Sequence, residues 1–216
     1  MSEPKAMARK IVRVVPTVHR FRVHDDRIGG AESDGYAVVS DGRVTLIDPV
    51  PVDPEALDKL GKVTAIVLTA GNHQRAAWSL RKRYGVHVFA PENAHGLEEQ
   101  PDYFYSGGDA LPGGLTAFHT PGPVASMHAL WLARPVSVIF LSDLLTHDGS
   151  GVPQFVPSKY QDEPARTRAS IRRILDHLPV EVLCFAHGQP VCIDGRAALQ
   201  RALDEDHELL EGAPAY

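Results

Sequence analysis

The chain has 216 residues, 44% hydrophobic and 23% charged, enough to bury a full core as one large domain without disulfide staples. Its formal net charge of -5 argues against attraction to nucleic acid, which needs a positive field. Met1 to Lys10 is polar with no apolar signal core, and no apolar run reaches the roughly 18 residues of a membrane span, so a cytoplasmic protein with no membrane partner is expected.

Residues 1–10 read as a flexible tail and residues 11–216 as a single domain, because no Gly/Ser- or Pro-rich linker divides them. Ile11 to Val15, Tyr36 to Ser40 and Val44 to Ile47 are strand-like, and Asp41-Gly42 is a hairpin signal between the last two. A short helix from Pro54 to Leu60 leads into Val63 to Leu68, a β-branched run that reads as a buried strand. Asn72 then caps a helix whose Ala76, Ala77, Leu80 and Tyr84 recur at helical spacing until Gly85 stops it. Arg81-Lys82-Arg83 in its last turn reads as a solvated C-terminus complementing the helix dipole, not a phosphate patch.

Val86 to Ala90 returns as a strand, and the second half repeats the style. Leu115 to His119, His128 to Ala133 and Val136 to Leu141 are expected strands, with Arg134-Pro135 at a turn. Pro164 opens a helix with an Ile171, Ile174, Leu175 and Leu178 stripe; Val180 to Phe185 is a buried strand, and Gly195 to Leu210 a closing helix. Hairpins followed by β-α units, twice over, predict an α/β (α+β) domain with two sheets face to face and helices outside. Cys184 and Cys192 read as buried free thiols, as suits a reducing compartment.

Several strands end in polar loops: Leu68-Thr69-Ala70-Gly71-Asn72-His73, His119-Thr120-Pro121-Gly122, Ser142-Asp143 and Ala186-His187-Gly188. Loops along one edge of a rigid sheet are where sites are built. His73, Asp143 and His187, brought together, would bind one zinc, manganese or iron ion and leave positions open for water. Each also has a local reading: His73 bonding near a helix start, His187 capping a turn. Asp143 follows a strongly apolar strand, so a buried carboxylate there needs a cation or donor. His119 and His128 read as packing residues. No G-x-S-x-G elbow is present, and neither cysteine neighbours a paired histidine, which disfavours nucleophilic catalysis. Phe155 to Tyr160 reads as a surface loop packing its aromatics, with a lid as the other reading.

From about Val12 to Leu203 the chain resembles the metallo-β-lactamase superfamily. The residues that carry this are Leu46-Ile47-Asp48-Pro49, Ala65-Ile66-Val67-Leu68-Thr69, Arg83-Tyr84-Gly85, Val88-Phe89-Ala90-Pro91, His119-Thr120-Pro121-Gly122, Phe140-Leu141-Ser142-Asp143 and His187-Gly188, in the family's order. The resemblance implies a four-layer αβ/βα sandwich of two similar halves with a hydrolytic metal site along one edge of the sheets.

The ligand motif departs from the family's T-H-x-H-x-D-H, since this chain has Thr69-Ala70-Gly71-Asn72-His73-Gln74-Arg75. Aligned from the strand, every ligand is replaced and Arg75 takes the last histidine's place. Aligned from the helix, His73 matches that histidine and Asn72 the aspartate, with two loop residues deleted; this register is preferred because loops absorb deletions and packed helices do not. The first metal site is then lost, since Pro123 stands where its third histidine belongs. The second keeps His73, Asp143 and His187, with neutral Asn72 in place of a carboxylate and Asp48 behind the loop.

Two functions follow from the resemblance. One is a hydrolase of an unknown small substrate, in which one divalent metal at His73, Asp143 and His187 activates water; Asp143 is then its catalytic residue. The other is a metal-free binding or scaffold protein on the same fold, with Arg75 swung toward Asp143 as a substitute charge. A homodimer is compatible with either, and a true β-lactamase is not expected.

Overall fold

The computed structural model describes residues 3–206. Seven strands form the first sheet, in sequence order: β1 (Ile11–Val15), β2 (Val18–Asp25), β3 (Ala31–Ser40), β4 (Arg43–Ile47), β5 (Lys62–Val67), β6 (His87–Pro91) and β7 (Tyr103–Tyr105). Neighbours are antiparallel as far as β4 and parallel from β4 to β7. The β3–β4 turn has both Asp41 and Gly42 at positive φ, the backbone that a two-residue hairpin matched to strand twist demands.

The second sheet repeats the plan with β8 (Ala110–Leu111), β9 (Leu115–His119), β10 (His128–Leu132), β11 (Val138–Phe140) and β14 (Val182–Cys184). Its spatial order is β14-β11-β10-β9-β8, and only β11 and β14 are parallel. A two-stranded ribbon, β12 (Leu145–Thr146) with β13 (Gln154–Phe155), lies beyond it in sequence. The helices are α1 (Pro54–Asp58), α2 (Ala77–Tyr84), α3 (Pro164–His177) and α4 (Gly195–Asp204).

The period of two along each strand sorts side chains into three apolar layers. Tyr36, Val38, Ile47 and Val67 of the first sheet meet Leu115, Ala117, Leu130, Val138 and Phe140 of the second. The alternate residues Ala37, Val44, Leu46, Ile66 and Val88 face Leu57 of α1 and Ala77 and Leu80 of α2. Ile139 and Leu183 face Ile171, Ile174 and Leu175 of α3 and Ala198 and Leu199 of α4. Three buried apolar layers, between two sheets and the helices outside each, make the four-layer αβ/βα sandwich that the resemblance implied.

Several expectations change. Among the described residues before Ile11, Ala8 is tied down: it is buried and exchanges backbone hydrogen bonds with Pro51 and Asp53. Asn72 is not a helix cap, because α2 begins only at Ala77 and Asn72 lies in a 3-10 turn, Gly71–His73. Cys184 is buried but Cys192 is exposed, both as free thiols. The closing helix is described to Asp204, and its expected continuation toward Leu210 falls partly outside the described residues. Among these residues no helix is long and apolar enough to cross a membrane.

Candidate metal centre at the strand ends

Four strand ends meet at one edge of the sandwich. Asp48 follows β4, Thr69 and the Gly71–His73 turn follow β5, Ser142-Asp143 follow β11, and His187-Gly188 follow β14. Parallel pairing of β4 with β5 and of β11 with β14 is what brings each pair of C-termini to the same edge. Asp48 and Ser142 both hold positive φ, of 43° and 54°, a conformation that costs a non-glycine residue about 1–3 kcal/mol and tends to collect at functional sites.

Asp48 organises the 69–73 loop. Its Oδ1 accepts from the Thr69 backbone N–H at 2.8 Å, and its Oδ2 accepts from Thr69 Oγ1 and lies 2.9 Å from His73 Nδ1. With Nδ1–H given to Asp48, the opposite nitrogen of His73 faces Asp143, with Nε2 to Oδ2 at 3.0 Å. Burial disfavours the charged ring, but Asp143 and Asp48 outweigh both burial and the opposing Arg75 charge, so the His73 pKa rises to about 9. In the metal-free protein His73 is therefore an imidazolium bridging two carboxylates.

His187 is oriented from the first sheet. Its Nδ1 lies 2.7 Å from the Glu32 carbonyl oxygen and donates to it, which leaves a lone pair on Nε2 when the ring is neutral. That atom is 3.4 Å from Asp143 Oδ1, a buried oxygen with no hydrogen-bond partner. Burial raises the Asp143 pKa, yet the two histidines overcome it and hold the carboxyl well below the usual range. One ligand atom from each of His73, Asp143 and His187 lies within 4.8 Å of the others, the one such group of three among the described residues.

The remaining predicted residues fall into place around this group. Asn72 is exposed and directs its amide nitrogen at Asp143 Oδ2, 3.4 Å away, so it meets the site through a donor. Arg75 does not reach Asp143: its buried guanidinium donates to the backbone oxygens of Asp34 at 2.7 Å and Asp48 at 3.3 Å. The cation beside Asp143 is the His73 ring, which corrects the reading of Arg75 as the substitute charge. Pro123 is buried, and its carbonyl accepts from Asp162 N–H, tying its loop to the segment before α3. Phe155 packs under the Arg168 guanidinium, 4.1 Å from the ring centroid, while Tyr160 is exposed.

Sequence reasoning passed over the second ring of support. Thr69 Oγ1 and Ser142 Oγ, 2.7 Å apart, bridge the two halves directly beneath His73. Asp34 on β3 is fully buried; it accepts from Arg22 Nε and Nη2 at 2.8 and 2.9 Å and from the Gly188 N–H at 2.9 Å. Arg20 Nη1 takes the Gly188 carbonyl from the other side at 3.1 Å. The available signal was a carboxylate, Asp34, immediately before the apolar alternation of β3, but its partners are Gly188 after β14 and Arg22 on β2, which was not foreseen as a strand.

A sequence model of the metallo-β-lactamase superfamily matches residues 21–205. The chain belongs to that superfamily. No curated protein sequence matches it. Similar solved structures include the metallo-β-lactamase FIM-1 from Pseudomonas aeruginosa in its mono-zinc form, at TM-score 0.73 and 14% identity over 97% of this chain and 99% of that one. VMB-1 matches at TM-score 0.74 and 13% identity, over 99% and 100% of the two chains. A metallo-β-lactamase from Erythrobacter litoralis matches at TM-score 0.68 and 17% identity, over 93% and 96%. At such identities the likeness to these metallo-β-lactamases is one of fold, and it extends over almost the whole chain.

Proposed function

We propose that this superfamily member is a hydrolase that holds one divalent metal ion between His73, Asp143 and His187. The observation that carries the reading is the meeting of His187 Nε2 with Asp143 Oδ1. When the His187 ring is neutral, its Nε2 lone pair faces a buried carboxylate oxygen that has no hydrogen-bond partner, an arrangement a cation between them would relieve. The donor set of two imidazoles and one carboxylate suits zinc, manganese or iron, and the FIM-1 structure of the same fold is a mono-zinc form.

Each ligand has a partner that fixes its reactive atom. Asp48 retains the Nδ1 proton of His73, so that Nε2 is the ligating nitrogen, and the Glu32 carbonyl does the same for His187. A bound ion would supply an activated water and polarise a carbonyl or phosphoryl oxygen. The exposed Asn72 amide, beside Asp143, is placed to donate a hydrogen bond to an oxygen of a bound small molecule.

A specific observation favours a second reading, a metal-free binding protein. His73 already satisfies both nitrogens against Asp48 and Asp143, so the site closes on itself with a proton in the ion's place. Elemental analysis after zinc or manganese loading separates the two. About one ion per chain is expected, abolished in Asp143→Ala and bound more tightly in Asn72→Asp. Loss of a ligand should exceed the roughly 10–100-fold that losing a supporting partner costs. Metal content near zero after loading would leave only the second reading.

A further inference from the structure

The two sheets part at the edge opposite the metal site. A cleft of about 910 Å³ opens there between the start of β4 and two turns of the second sheet, residues 112–114 before β9 and 133–135 after β10. Tyr36, Val38 and Ile47 belong to the layer between the sheets, so Ser40, Thr45 and Arg43, which keep the period of two along β3 and β4, face the same way. On the second sheet, Leu132 and Leu115 of that layer stand opposite each other, and the same antiparallel register carried past the strand ends brings Arg134 beside Gly113. Gly113 in turn rests on Thr45, where a Cβ would lie 2.9 Å from Oγ1. Arg43 and Arg134 thus come from facing walls within reach of one another.

Both arginines are exposed, and among the described residues neither guanidinium makes a hydrogen bond or an ion pair. The carboxylate of the cleft, Asp41 at the β3–β4 turn, pairs with neither and accepts from Ser40 Oγ at 3.3 Å. His87, on β6 at the far end, is turned toward Asp102, with Nδ1 to Oδ1 at 3.4 Å. Thr45 is only 3% exposed, and its hydroxyl likewise makes no hydrogen bond among the described residues.

Two guanidinium groups that converge without a counter-charge repel each other, and an anion between them removes that repulsion. Each presents a planar fork that matches phosphate or carboxylate oxygens two at a time. A carboxylate offers one charge and one plane, whereas a tetrahedral phosphate turns oxygens to both walls at once and matches both charges. We propose that the cleft binds the phosphate group of a small phosphate ester, held between Arg43 of the first sheet and Arg134 of the second. The site is separate from the strand ends that carry His73, Asp143 and His187, and it does not depend on a metal being bound.

The experiment titrates inorganic phosphate into the full-length, metal-free, 15N-labelled protein near neutral pH. The side-chain Nε–H signals of Arg43 and Arg134 are followed by NMR, with acetate at matched ionic strength as the control. Saturable shifts of both signals with one common dissociation constant are expected from phosphate, and none from acetate. Arg43→Gln and Arg134→Gln should each weaken phosphate binding about two- to fivefold, as suits exposed charges. Neither substitution removes a group packed in the core, so both variants should fold. No saturable shift, a shift confined to one arginine, an equal response to acetate, or unchanged affinity in both variants would overturn the proposal.

Discussion

A fully buried carboxylate is held only by partners, and Asp34 spends its partners on the site. Two of its bonds come from Arg22 and one from the Gly188 N–H, while Arg20 holds the Gly188 carbonyl. The residue after His187 is thus gripped at both its polar groups, and His187 itself is anchored to Glu32 two residues along the same strand. Replacing Asp34 by Ala removes one side of a buried pair and leaves Arg22 only Glu32 as a carboxylate partner, a change expected to cost about 3 kcal/mol in denaturant unfolding, the low end for a broken buried pair. Asp34→Asn keeps the shape and removes the charge. It should lose less stability yet still weaken metal binding, about 10–100-fold by the reading above, because Gly188 loses its charged acceptor. Unchanged metal affinity in a folded Asp34→Asn protein would show that the clamp serves the fold alone.

At the scale of elements, the loop between β5 and α2 decides how the site is built. Gly71 is buried, and a Cβ there would meet the His95 carbonyl oxygen at 2.1 Å, so the loop passes where only glycine fits. Gly71→Ala must displace the turn that carries Asn72 and His73. Isothermal titration with zinc should register a clear loss of affinity, whereas Ile174→Ala in α3 should lose about 2–5 kcal/mol of stability and leave the affinity unchanged. Ile174 is buried in the layer between α3, α4 and the second sheet, away from the strand ends. The same contrast explains what the sequence disclosed. Strands buried on both faces, such as Ala65-Ile66-Val67, and the stripe of α3 announce themselves by pattern, as do the strand-end positions of His73, Asp143 and His187. β2 escaped notice because Phe21 and Val23 are the only apolar residues within Arg20-Phe21-Arg22-Val23-His24, and the arginines of its other face serve the site. The direction of Arg75 was equally hidden, since its acceptors are backbone carbonyls of residues 41 and 27 positions away.

For the molecule as a whole, two buried histidines set opposite limits on the pH at which the metal-free fold is stable. His128 has a folded pKa of about 4 against an ordinary 6.5, from burial opposed by its bond to Ser126. Above pH 6.5 it is neutral in both states, so its stabilising effect is fully present there; as pH falls from 6.5 through 4 the unfolded chain takes up the proton first and stability is lost. His19, also lowered by burial and by Arg13, pulls the same way. His73 is raised to about 9, so its contribution is complete below 6.5 and is lost as pH rises through 9. Asp25, lowered to about 2 despite burial by its bonds to Arg27 and Ser33, enters only later, as pH falls from 3.8 through 2. Urea unfolding of the metal-free protein across pH 4–9 should therefore give a maximum near pH 6.5, falling on both sides. His128→Phe should flatten the acid limb, and His73→Gln the alkaline limb, in variants that remain folded. A maximum displaced above pH 8 would contradict the bridging imidazolium, because a neutral His73 would have nothing to lose there.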